Sequence, residues 1–311
     1  MTLCEQLEFA CLMEATACKP GNVHPAAAFD DLTYADFTRA AQAIAEPLSQ
    51  AGHVGVGRAA LNAVQATRAV VATNVNLGIV LLLAPLAAVP LNVPLCSGIC
   101  RVLTQTTVED LVDVYAAIRL ARPGGLGTVD SEDVNERPSL TLRDVMALAA
   151  ERDLIAAQYA TNFELVFLTA KALSDRCARW NARHSRTGGP VDVLGLPVWE
   201  AAIVETYVEL IAQRPDSHIV RKCGQPLAEE ASRRAAFVIQ GDGFDSPQGR
   251  ASLLEFDTWL RADGHRRNPG SSADVIAASL FVAVREQTIP FPCPADVRKY
   301  ALDIQRRNIL Q

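Results

Sequence analysis

The chain has 311 residues, half of them hydrophobic and 21% charged, with a formal net charge of −6. That composition excludes the disordered class, and the acidic balance excludes a general nucleic-acid binder, which needs a basic face. An anionic small molecule would have to be met by local cations or by a divalent metal.

Taken in chain order, the apolar residues recur at helical spacing. Aromatics are scarce at 6%, and alanine and leucine dominate many segments, which favours helix over strand. Helices are expected at 2–17, 33–49, 56–72, 77–89, 107–120, 140–150, 153–182, 198–213, 226–239, 248–263, 271–287 and 294–307. The clearest stripe is Ile155, Tyr159, Phe163, Val166, Ala170 and Leu173. Thr33-x-x-Asp36, Thr107-x-x-Asp110 and Ser271-x-x-Asp274 read as capping arrangements at helix starts. VVATNV is the nearest thing to a strand, and it sits inside a helical pattern. The expectation is an all-α fold: one domain over 1–311, of about twelve helices and no significant sheet.

The run Leu77 to Val93 is apolar enough to test as a membrane span, but Pro85 and Pro90 interrupt it, and it reaches only the lower length limit. A buried central helix is the better reading. The N-terminal stretch carries acidic residues within its apolar segment, unlike a signal peptide. A cytoplasmic protein with no membrane partner follows as the expectation, with a homodimer open. Of eight cysteines, Cys4, Cys11 and Cys18 share a seven-residue spacing that suits core packing. Cys96 and Cys100 lack the second pair a zinc site needs.

Chemistry is expected in the loops. Pro20-Gly21 ends the first helix, leaving Lys19 near a helix C-terminus with Glu14 behind it. Lys19 there is either a dipole-complementing cap or a ligand for phosphate. Asp30 and Asp31 follow, able to hold Mg²⁺ or accept a proton. Asn74 and Asn76 stand between two apolar helices and either cap the second or orient a ligand. Asn268-Pro269-Gly270-Ser271-Ser272-Ala273-Asp274 opens a helix whose N-terminus suits phosphate, with Arg266 and Arg267 just upstream. In the stretch 216–222, Lys222 is the better phosphate partner, and a lone His218 is more often structural than catalytic. PGGLG at 123–127 is no Walker loop, and no GxGxxG follows a strand.

Together, EATACKPGNVH at 14–24, the Asp31 to Phe37 spacing, TNVNLG at 73–78 and NPGSSAD at 268–274 resemble the triphosphoribosyl-dephospho-CoA synthase family. The resemblance spans nearly the whole chain through short motifs. It implies an all-helical transferase in which a ribose hydroxyl of dephospho-CoA attacks the anomeric carbon of ATP's ribose. Adenine leaves and the triphosphate is kept. It further implies ATP and Mg²⁺, with Glu14, Asp31 and Asp274 in acid–base roles, and Asp31 and Asp274 also as metal ligands. Lys19, Gly21, Asn22, Asn74, Asn76, Lys222, Asn268, Ser271 and Ser272 would bind the nucleotide. The chain departs from the family where Asn-Thr-His-Lys-Gly is replaced by Asn74-Val75-Asn76-Leu77-Gly78, losing the histidine and the lysine. The family's acidic residue in the preceding helix has no counterpart around Asn62 to Ala66. Such a branch resembles members found beside tetrahydromethanopterin-pathway genes, which opens a phosphorylated or ribosylated pterin as acceptor. A non-catalytic nucleotide-binding protein is the remaining alternative.

Overall fold

Residues 1–122, 134, 136, 138–187, 196–240 and 246–309 are described by the structure, a computed structural model. The PGGLG stretch and most of the expected loop 183–196 lie outside them. Sixteen helices are found among the described residues. The first five are α1 (Leu3–Thr16), α2 (Tyr34–Ser49), α3 (Ala51–Val54), α4 (Val56–Val70) and α5 (Leu77–Ala88). Next come α6 (Leu95–Thr104), α7 (Val108–Ala121), α8 (Leu142–Ala149), α9 (Leu154–Ala160), α10 (Glu164–Thr187) and α11 (Val198–Gln213). The rest are α12 (Ser217–Cys223), α13 (Gln225–Gln240), α14 (Pro247–Arg261), α15 (Gly270–Arg285) and α16 (Pro294–Ile309). One short strand, β1 (Ala262–His265), follows α14. The class is all-α, as expected.

The N-terminal helices pack pairwise, α1 on α2, α2 on α4 and α4 on α7, while α10, α11 and α13 form a second group. Helix α15 lies against both, touching α1, α5, α10 and α11. A helix in that position must be apolar on all sides, and α15 is buried almost continuously from Ser271 to Val284. The same holds for α5, buried from Ile79 to Ala87 around Pro85. Among the described residues no helix is long and apolar enough to cross a membrane.

Local chemistry sets the helix starts. Thr33 with Asp36 and Thr107 with Asp110 form the expected capping boxes. Asp110 also accepts from the Gly57 amide at 2.7 Å, and a Cβ on Gly57 would stand 2.6 Å from the Asp110 carbonyl carbon. Helices α4 and α7 therefore approach closely only because Gly57 has no side chain.

Four expectations are corrected. The helix expected at 153–182 is two, broken where Asn162 and Phe163 take positive φ of 52° and 64°. Ser217 to Cys223 is a helix rather than a loop, because Asp216 caps it by accepting from the His218 and Ile219 amides. CSGIC falls inside α6, where Gly98 lets the helix pack on Val89. Ser271 is no cap, since α15 starts after Pro269 without a side-chain cap, and its hydroxyl meets Ser217 at 2.8 Å.

Candidate active site

The C-terminus of α1 and the N-termini of α5, α12 and α15 converge on a cavity of about 1100 Å³. Segments far apart in sequence supply its polar wall. Glu14, Asn22 and Asp31 come from α1 and the loop after it, and Asn74 and Asn76 from the approach to α5. Lys222, Asn268, Ser271 and Asp274 complete the set. Ile118 of α7 and Val145, Leu148 and Ala149 of α8 add apolar lining.

The two loops carrying this wall are clamped together from behind. The Asn22 side-chain amide donates to Asn268 Oδ1. The Tyr207 hydroxyl reaches the carbonyls of Pro20 and Pro269, both at 3.3 Å. The Gly21 amide donates to Asp257 Oδ1 at 2.7 Å, and Arg261 spans Asp257 and the Asn22 carbonyl. Gly21 has φ 75° and lies against Leu260, a conformation and a clearance that favour glycine.

Three residues expected to bind the nucleotide stand behind the wall instead. Lys19 has 0% exposure and does not line the cavity. Its ammonium is 2.9 Å from Glu14 Oε1 and also donates to the carbonyls of Glu14 and Ala17, so it caps α1 and balances Glu14. Gly21 contributes shape rather than contact. Ser272 is fully buried, its amide and hydroxyl donating to Asp216 Oδ2 at 2.7 and 2.8 Å. Arg266 and Arg267 also turn away: Arg266 donates to the Lys222 carbonyl, and Arg267 stacks on Trp259.

The asparagines divide their work. Asn74 Oδ1 accepts from the Leu77 amide at 3.2 Å, capping α5 while lining the cavity. Asn76 gives its amide to Thr67 Oγ1 at 3.2 Å. Leu77, which stands where the family pattern has lysine, presents an apolar side chain to the cavity.

Asp274 is the electrostatic extreme of the site. Its carboxyl is open only to the cavity, and among the described residues it has no hydrogen-bond donor and no ion-pair partner. Burial, then the negative neighbours Glu14, Asp216 and Asp153, push it well above the usual carboxylate range, opposed by Arg221. A Cβ on Gly78 would stand 2.6 Å from Asp274 Cγ, so this carboxyl is seated because Gly78 is bare. Asp216 is buried too, and burial raises its pKa against the hydrogen bonds from Ser272, Ile219 and His218. Burial, reinforced by Lys222 and Arg221, drives the His218 imidazole down to about 3. It lines the cavity as a neutral ring. Lys222 is lowered by burial and by Arg221, with Asp31 pulling the other way.

Sequence reasoning missed Arg68, His265, Asp216 and Tyr207. Arg68 lines the cavity from the last turn of α4. His265 stacks on Phe29 at 4.9 Å and sits 3.8 Å from Asp31. A dipeptide such as Pro215-Asp216 carries a cap signal that was legible; Tyr207 on an all-round apolar helix carries none.

Among the described residues no group of three or more His, Cys, Asp or Glu side chains is placed to hold a metal ion. The two carboxyls expected to share Mg²⁺ keep different company. Asp31 is half exposed beside His265 and Lys222, and Asp274 faces Glu14, Asp216 and Asp153. Among the described residues neither belongs to a group of three or more such side chains placed to hold a metal ion. Metal that accompanies a triphosphate is held chiefly by phosphate oxygens and water.

A family model described as ATP:dephospho-CoA triphosphoribosyl transferase matches residues 1–291. No curated protein matches the chain significantly. A crystal structure from Archaeoglobus fulgidus, of a protein described as a candidate triphosphoribosyl-dephospho-CoA synthase, superposes with a TM-score of 0.58. The two are 24% identical, over 79% of this chain and 97% of that one, a likeness that shows the fold. With its motifs gathered on one cavity and 291 of its residues matched, the chain belongs to the ATP:dephospho-CoA triphosphoribosyl transferase family and is a transferase of that type.

Proposed function

We propose that the cavity binds ATP together with a hydroxyl-bearing acceptor and moves the triphosphoribosyl group to it, releasing adenine. The observation that carries this reading is the convergence of Glu14, Asn74, Lys222, Asn268 and Asp274 on one cavity of about 1100 Å³, room for two sizeable ligands side by side. Breaking a ribosyl–base bond builds positive charge on the sugar, which carboxyl groups at the cavity wall can oppose. Lys222 and Arg68 line the cavity as cations for the triphosphate, with Mg²⁺ carried in on the nucleotide. Asn22, Asn74, Asn268 and Ser271 offer amides and a hydroxyl to orient it.

A dephospho-CoA-like acceptor is the first reading. A ribosylated or phosphorylated pterin of a tetrahydromethanopterin-type pathway is the second, favoured by the altered wall in which Asn76 is spent on Thr67 and Leu77 is apolar. The test is adenine release from ATP and Mg²⁺, measured with each acceptor in turn. Release with dephospho-CoA supports the first reading, and release with the pterin alone supports the second. ATP binding without release from any acceptor overturns both in favour of a non-catalytic nucleotide binder.

A further inference from the structure

Two carboxyls face this cavity in opposite surroundings. Glu14, in the last turn of α1, is balanced by a fixed cation: Lys19 Nζ lies 2.9 Å from Oε1 and is itself held by two backbone carbonyls. Asp274, in the first turns of α15, is balanced by nothing in contact with it among the described residues. Helix α5 meets it with the bare backbone of Gly78. Helix α1 faces it with Glu14 and Cys11, the start of α9 with Asp153, and α12 with Asp216 and Arg221. The other acids around it have their own partners. Asp216 accepts from the His218, Ile219 and Ser272 amides and the Ser272 hydroxyl. Asp153 accepts from the Ile155 and Ala156 amides and lies 3.8 Å from Arg221.

Adjacent acids whose surroundings favour opposite protonation states are how one site runs acid and base chemistry together. Displacement at a ribosyl carbon asks for both: the departing base needs a proton, and the attacking hydroxyl must lose one. We propose that Asp274 and Glu14 divide this traffic, Asp274 giving its proton to the departing adenine and Glu14 taking the proton of the acceptor hydroxyl. The proposal rests on the transferase reading and deepens it. In the step, the bond from the anomeric carbon to the adenine nitrogen breaks and its electron pair leaves with the base, which gains the Asp274 proton. The acceptor oxygen forms the new bond to the same carbon, and its proton passes to Glu14. The pair ends with its protonation reversed, and moving one proton from Glu14 to Asp274 restores it. Lys19 touches no substrate here and is a positioning residue, fixing Glu14 from behind.

The test compares the wild type, D274N and E14Q in adenine release, with kcat/KM followed from acid to alkaline pH. The wild type should lose activity on the alkaline side as Asp274 gives up its proton. D274N should lower kcat by about 100-fold or more, leave the KM for ATP little changed, and abolish the alkaline fall. E14Q should lower kcat by a similar factor and keep the alkaline fall. Thermal unfolding of each variant confirms that it folds. An infrared difference spectrum, wild type minus D274N at neutral pH, should show the carbonyl band of a neutral carboxylic acid. Equal adenine release by wild type and D274N, an alkaline fall that persists in D274N, or a spectrum without that band overturns the proton roles alone. A wild type that releases no adenine with any acceptor overturns the transferase reading and the proton roles with it.

Discussion

Lys19 carries its charge at 0% exposure, which is tolerable because Glu14 stands 2.9 Å from its ammonium. Removing one partner of a buried pair leaves the other charge uncompensated. Lys19→Ala should therefore cost about 3–5 kcal/mol in denaturant-induced unfolding, whereas loss of ATP affinity with stability intact would return Lys19 to phosphate binding. Gly78 offers a second test, because a methyl group there would displace the Asp274 carboxyl. Gly78→Ala should lower adenine release by about 10-fold or more while the chain stays folded, since misplacing a catalytic group by about an ångström is costly. Asp274 also predicts a stability profile. Its carboxyl, raised well above the usual range, holds a proton in the folded chain that the unfolded chain has already lost. Stability from this group is thus greatest at low pH and declines as pH rises from the ordinary aspartate value through the raised one. D274N removes that decline, so its stability relative to wild type should climb with pH; parallel profiles would contradict the assignment.

Among the elements, capping chemistry marked some helix starts, whereas the Asp216 cap before α12 carried the same signal in a segment expected as loop. The Thr33 and Thr107 boxes start α2 and α7 where the sequence places them. The stripe from Ile155 to Leu173 did not reveal the break between α9 and α10, since the apolar period runs on while Asn162 and Phe163 turn the backbone left-handed. Helix α6 was missed although Leu95, Ile99 and Leu103 recur at helical spacing, and its glycine is demanded by contact with Val89, a tertiary fact. The α4–α7 contact has the same character. Gly57→Ala should destabilise the chain by about 1–3 kcal/mol through overpacking, read as a lowered melting temperature. An unchanged melting temperature would mean that the two helices can part at no cost.

At the scale of the whole molecule, the sequence motifs named most of the cavity's polar wall before any geometry. They could not say which charged residues face inward. Lys19 and Ser272 were drawn away by Glu14 and Asp216, and Arg266 and Arg267 by a carbonyl and Trp259. Arg68 and His265 were drawn in, from a helix end and a strand that carry no motif. A chain of net charge −6 thus lines its cavity with a few cations placed by packing rather than by its overall field. The central claim is that this one cavity holds both reactants with the ribose between Glu14 and Asp274. A crystal structure with ATP and an unreactive acceptor analogue tests it most directly. The account predicts the anomeric carbon beside those two carboxyls and the triphosphate reaching Lys222. ATP bound outside the cavity, or bound with its ribose away from Glu14 and Asp274, would contradict it.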